Sequence, residues 1–274
     1  MSSPFDPTLP EDIAGVLARF EAILAWSRQH RSRLGYFAAL YRGVTLGVRN
    51  DLATGTFDDP QAAERLAIRF AGRYFEALAG RFGTAPPAHA WQASFDAAER
   101  WLPTVSQHLL LGINAHINLD LGIAAARTLA DASLTRADFE RVNERLLGMI
   151  DEVQTRLARI WPLLRLLDRL AGRLDEALIG ATLVQLRAGA WTFAQQLHAA
   201  AAGDEGALIA ERDRHVAGIG LAIARPKPLL RLALGLVRLG ELRSVSGVID
   251  LLEAQSRRAP AAGESGAPRH TPCA

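Results

Sequence analysis

The run HLLLGINAHINLDLGIA, residues 108–124, decides how the chain is read. Its residues 108–119 belong to the 19 residues between Arg100 and Asp120 that carry no formal charge, in a chain in which 22% of residues are charged. At about 100° per residue, His108, Gly112, His116 and Asp120 fall near 0°, 40°, 80° and 120° and form one slowly drifting stripe, while Asn114 and Asn118 share another side. Leu and Ile fill the directions between them. A helix that is apolar in every other direction is surrounded by protein, so both polar stripes are expected to be buried and to need partners. His108, Asn114, His116, Asn118 and Asp120 also make the stretch a poor bilayer span and a good core helix.

Working outward, apolar residues recur at helical spacing through most of the chain, and no segment alternates apolar with polar as a half-buried strand does. The expectation is an all-α fold: one bundle-like domain of about eight helices over residues 11–255, between an irregular lead-in (1–10) and a disordered tail (256–274). Helices are expected from the Pro10-Glu11-Asp12 signal to about Arg31, and from Arg33 to about Ala53. A third runs from Asp59-Pro60 to about Arg81. A fourth starts near Trp91 or Ser94, bends at Pro103 and continues to about Ala130. Thr135-Arg-Ala-Asp138 resembles a capping box, and the helix after it carries the stripe Phe139, Val142, Leu146, Ile150, Val153, Leu157, Trp161. Later helices are expected at 174–201, 205–224 and 228–255.

Composition excludes several classes. Of the 31 basic residues 30 are Arg, and they are spread beside 29 acidic ones for a net charge of +2, so no clustered cationic field for nucleic acid is expected. Cys273 is the only cysteine and Lys227 the only lysine, which argues against thiolate metal clusters, thiol catalysis and Schiff-base catalysis. The N-terminus has neither the basic start nor the apolar core of a secretory signal, so a cytoplasmic location is expected. Gly-rich phosphate loops, Gly-x-Ser-x-Gly and His-Glu-x-x-His are absent from the sequence.

His116 and Asp120, at i and i+4, can serve as two metal ligands or as a base and its orienting carboxylate, with Asn114 beside them. Equally, they can be members of a structural hydrogen-bonded network. Glu211 and His215 repeat the spacing on a later helix and are expected to point inward, close to the face of Leu208, Arg212 and Val216. Two such pairs on facing helices would form a four-ligand site for a divalent zinc, iron or manganese ion. Arg187, Trp191, Ala194 and His198 share a face that could stack and hold an anion. Phe37, Leu40, Tyr41, Val44 and Val48 form a core stripe on the second helix, with Arg42, Thr45 and Arg49 beside it, and Tyr36 and Tyr41 read as core tyrosines. Asp58-Asp59 reads as a helix cap.

The segment LLLGINAHINLDLGIA resembles the signature L-L-G-x-N-A-H-I-x-x-D-L of an uncharacterised all-helical family of bacteria and fungi. YFAALYRGVT (36–45), FAGRYFEAL (70–78) and RAGAW-x-x-A (187–194) are similar to further blocks of that family, so the likeness spans about residues 10–255. It implies a helical domain and makes Asn114, His116, Asp120, Tyr36, Tyr41, Arg42, Arg187 and Trp191 candidates for a shared pocket, with His108 a looser member, and it implies no established reaction. Asn118 joins the substrate-binding candidates from its place beside Asn114 on the helix. More distantly the chain resembles the all-helical zinc phospholipase C and nuclease group, in which His-x3-Asp sits on a buried helix, but it lacks that group's other His-rich motifs and N-terminal Trp ligand. The reading that follows is an enzyme with a buried polar pocket: a metal-dependent hydrolase on a small anionic or oxygen-rich substrate, held by Arg187 or Arg42, if a divalent metal is present, or a cyclase, isomerase or lyase on an apolar metabolite if none is. The alternative is a non-catalytic helical binding or scaffold protein.

Overall fold

The computed structural model describes residues 5–83, 85–145, 148, 189–201, 203–241 and 243–256. Every regular element among them is helical, as the periodicity predicts. In chain order they are α1 (Ile13–Gln29), α2 (Leu34–Ala53), α3 (Pro60–Phe82), α4 (His89–Ala98), α5 (Val105–Ala115), a π-helical turn (His116–Asp120) and α6 (Leu121–Leu129). Helical runs at 136–145 and 189–199 follow, and then α7 (Glu205–Ala224), α8 (Pro228–Gly240) and α9 (Val245–Ser256).

Side-chain caps open several of the helices. Asp12 accepts from Gly15 N–H at 2.7 Å, and Asp59 accepts from Ala62 N–H at 3.0 Å with Pro60 in the first turn. Two boundaries differ from expectation. The helix expected to bend at Pro103 is broken outright: α4 ends at Ala98, and Thr104 opens α5 with a full capping box to Gln107. The expected helix 228–255 is likewise two, because the chain turns at Glu241, whose carboxylate accepts from Val105 N–H and so closes the start of α5. Thr135 accepts from Asp138 N–H, but Asp138 does not complete that box. Its buried carboxylate instead accepts from the backbone N–H groups of Asp58 and Asp59 and ties the α2–α3 connection down. Phe139 and Val142 are buried as expected; the remainder of that stripe, Arg187 and the 256–274 tail beyond Ser256 lie outside the described residues.

The axis of the fold is the continuous run α5–π–α6. It touches α2, α3, α4 and α7, while α1 packs on α2 and α3, and α9 on α2. Val105–Leu129 is long and apolar enough by composition to cross a bilayer, yet 94% of its most apolar window is buried by the protein, which marks it as a core helix. Small residues let the neighbours in. A Cβ on Gly112 would stand 2.4 Å from the Phe37 ring, and one on Gly122 would stand 2.6 Å from Phe193 and 3.1 Å from the Ala190 carbonyl. Phe37 therefore wedges against the middle of α5 and parts the polar stripe at Gly112.

Burial pushes the Glu241 carboxyl up to about 7, against the opposing pull of Val105 N–H and Arg238. Since 7 exceeds the ordinary 4.5, the folded chain holds this proton more tightly than the unfolded one, and stability falls as pH rises between those values. Urea unfolding of the native chain and of Glu241→Gln should therefore diverge: the native chain loses stability relative to the variant from pH 4.5 to above 7. Parallel pH profiles would refute the assignment.

Candidate functional site

His116 and Asp120 sit at the two ends of the π turn, where Leu121 N–H reaches five residues back to the His116 carbonyl. Such single wide turns inside α-helices are frequent at functional sites. Here the turn keeps the two side chains facing each other: His116 Nδ1 lies 3.0 Å from Asp120 Oδ2, with His116 1% and Asp120 0% exposed. The same carboxylate oxygen accepts from Trp91 Nε1–H at 2.8 Å, and Arg73 Nε stands 3.4 Å from Oδ1 as an ion pair. Arg73 also pairs with Glu76, so it joins the buried carboxylate to the surface.

Aromatic rings enclose the imidazole. Phe70 stacks on it at 3.7 Å between centroids and 8° between planes, and Tyr41 meets it edge-on at 4.4 Å. Phe37, Trp91 and Tyr74 complete the cage at 5.5, 5.9 and 6.4 Å. Burial in this apolar cage, with the Arg73 charge adding to it, holds His116 below the ordinary imidazole range in spite of Asp120. The ring is therefore neutral at pH 7, and a carboxylate partner can only accept, which assigns the proton to Nδ1. Nε2 is buried and has no hydrogen-bond partner among the described residues. Burial and the Asp120 charge also push the Tyr41 phenol well above its usual range, so it stays protonated.

The second polar stripe forms its own network. Asn118 Nδ2–H donates to Asn114 Oδ1 at 2.9 Å, and Asn114 Nδ2–H donates to the Val216 carbonyl on α7 at 3.0 Å. Arg212, also on α7, donates from Nε to the Asn118 carbonyl at 2.7 Å and lies over the Phe193 ring. It meets backbone that the π turn presents towards α7. His108, on the far side of the Phe37 wedge, meets Tyr36 edge-on at 5.7 Å; burial, with Arg33 and Arg238 nearby, depresses it to about 3.

The structure thus brings His116, Asp120 and Tyr41 together, sets Asn114 and Asn118 beside them on the same helix, and places His108 and Tyr36 in a neighbouring cluster. Other expected members lie elsewhere. Arg42 is taken up by ion pairs with Glu21 on α1 and Glu253 on α9. Trp191 is half-buried against Phe139, and His198 is exposed, because the buried stripe of that helix is Ala190, Phe193, Ala194 and Leu197. The inward expectation for Glu211 and His215 is reversed. The buried side of α7 is Asp213, Val216 and Gly220, which puts both residues roughly half a turn away, in solvent. Asp213, not Glu211, does the inward work: it accepts from the backbone N–H groups of His89 and Ala90 at 2.8 Å and so fixes the start of α4, the helix that carries Trp91. Among the described residues no three His, Cys, Asp or Glu side chains converge as a metal's ligands.

Sequence reasoning missed Trp91, Arg73, Phe70 and Arg212 as parts of the site. Arg73 left a signal: it is the one cation among Phe70, Ala71, Gly72, Tyr74 and Phe75, three residues from Phe70 and thus on its face.

The model of the family described as a family of unknown function, DUF5995, matches residues 13–226. The chain belongs to this DUF5995 family. No curated protein and no solved structure matches the chain. The DUF5995 match covers all the residues of the candidate site, from Tyr36 to Arg212, and ends before α8.

Two outcomes follow for the DUF5995 core. Trp91→Phe deletes one buried donor to Asp120 while keeping most of the ring, and should cost about 1–3 kcal/mol in urea unfolding; a cost within error would show that the bond contributes nothing. Because the folded state refuses a proton on His108 until about 3, against 6.5 when unfolded, stability should fall as pH drops from 6.5. His108→Gln should lose less over that window, and equal losses would contradict the assignment.

Proposed function

We propose that this chain is an enzyme that moves a proton with His116, in the class of isomerases, lyases or cyclases acting on a largely apolar small molecule. One observation supports this most: a neutral imidazole is oriented through Nδ1 by a carboxylate that Trp91 and Arg73 hold in turn, while Nε2 stays buried and unpartnered. A base needs that arrangement, with the proton-bearing nitrogen fixed and the other lone pair free. Orphaned buried polar atoms in native proteins call for an explanation, and catalysis is among the recognised ones. Asp120 would orient the ring and stabilise the imidazolium that forms. The rings of Phe70, Tyr41 and Phe37 would exclude water and present an apolar wall. Asn118 Oδ1, also buried and unpartnered, is a further acceptor near the same turn.

The residues do not fit a divalent ion as well. Asp120 already accepts from two donors and lies against a guanidinium that would repel a cation, His116 turns Nδ1 to that carboxylate, and Glu211 and His215 are in solvent. The metal-dependent hydrolase reading, and the four-ligand set behind it, is therefore the weaker one. The enclosure of His116 supports a second reading, in which the network only fixes the register of α3, α4 and α5 in a helical binding or scaffold protein.

The two readings part in deuterated water. Native protein and His116→Asn, each incubated with a small-molecule extract, are compared by mass spectrometry. A metabolite that gains deuterium or changes mass only with the native protein supports the base. No difference, with the variant merely less stable, leaves the scaffold reading. Elemental analysis of untagged protein should find no near-stoichiometric zinc, iron or manganese; such a metal, lost in His116→Ala, would restore the hydrolase reading.

A further inference from the structure

Ten large apolar side chains are exposed among the described residues, and eight of them lie at one corner, on α8, the end of α7 and the α4–α5 connection. On α8, Leu229, Leu232, Leu236 and Leu239 fall within a sector of about 80° and are 85%, 68%, 55% and 61% exposed. The opposite side of α8 holds the helix to the body through buried Val237 and through Arg238, whose Nε donates to the Trp101 carbonyl while its guanidinium covers that ring. Residues 225–240 contain Arg225, Lys227, Arg231 and Arg238 and no acidic residue. Beside the leucines, a groove of about 360 Å³ is lined by Arg100, Arg225 and Arg231 and one carboxylate, Asp96, together with Leu221 and Leu234. None of these three arginines has an ion-pair partner among the described residues.

We propose that this corner docks on an anionic lipid bilayer, with α8 lying in the interface plane, its leucines in the acyl boundary and the arginine-lined groove against lipid phosphates. Charge complementarity singles out this occupant. A leucine face beside a groove in which three arginines, Arg100, Arg225 and Arg231, outnumber one carboxylate, Asp96, matches a surface that is apolar below and anionic above. A second copy would bring the same cations against themselves across a two-fold axis, which opposes pairing. At about 1.5 Å per residue α8 is roughly 20 Å long, too short to span a hydrocarbon core and long enough to lie along it. The groove shares no lining residue with the His116 cluster, and α8 itself lies beyond the family match that ends at residue 226.

The test is sedimentation of the full chain with vesicles of phosphatidylcholine alone and with about a third phosphatidylglycerol. Binding should require the anionic lipid and weaken steeply between low and high salt. Arg225→Ala with Arg231→Ala should weaken it by tenfold or more. Leu232→Asp with Leu236→Asp should abolish it without lowering the unfolding temperature, because the leucines face out. Failure of the native chain to bind anionic vesicles at low salt overturns the proposal. So does a concentration-dependent dimer that the leucine variant dissolves, or a large loss of stability in that variant, which would mean that the chain itself covers the face.

Discussion

The structure depends on one constraint: a carboxylate with no exposed surface at the centre of a helical bundle. Placing Asp120 there costs several kcal/mol unless its charge is met by donors, so Trp91, His116 and Arg73 must arrive together from three different elements. That requirement fixes the position of α4 and α3 against the α5–π–α6 axis. The supporting bonds extend it: Asp213 anchors the start of α4 so that Trp91 is presented, and Arg212 meets the Asn118 carbonyl at the π turn. Removing one member leaves the others buried and unpaired, which is why such networks specify a single arrangement.

Apolar packing then decides what the polar groups can do. Phe37 enters where Gly112 has no side chain, and divides one stripe of the sequence into two environments. His108 is left beside Tyr36, where burial, with the nearby Arg33 and Arg238 charges, keeps it neutral. His116 is left in an aromatic cage with a carboxylate at Nδ1 and no hydrogen-bond partner at Nε2 among the described residues. The two histidines lie two turns apart on one helix, and only one of them acquires the geometry of a base.

Much of this was legible in the sequence. Helix type, the caps at Asp12, Asp59 and Thr135, the burial of the uncharged stretch and the His116–Asp120 pairing all follow from spacing, because each depends on residues close in sequence. What was not legible depends on contacts between distant elements. The π turn is a register adjustment that a 100° projection does not contain. Trp91 and Arg73 are joined to Asp120 only by tertiary packing. Glu211 and His215 face solvent, against the spacing, because α7 has no strong apolar stripe and its inward face is set by a polar residue, Asp213, that serves as an anchor. The turn at Glu241 is hidden for the same reason, since its bond to Val105 joins residues 136 positions apart.

The central claim is that Asp120 holds His116 as a neutral ring with its proton on Nδ1 and a free lone pair on Nε2. Long-range proton–nitrogen correlation spectra of the imidazoles, with His116 assigned through His116→Asn, test it directly. The account predicts at pH 7 a protonated Nδ1 and an unprotonated Nε2 that does not shift as the pH is lowered to 6. A proton on Nε2, or an imidazolium at pH 7, would contradict it.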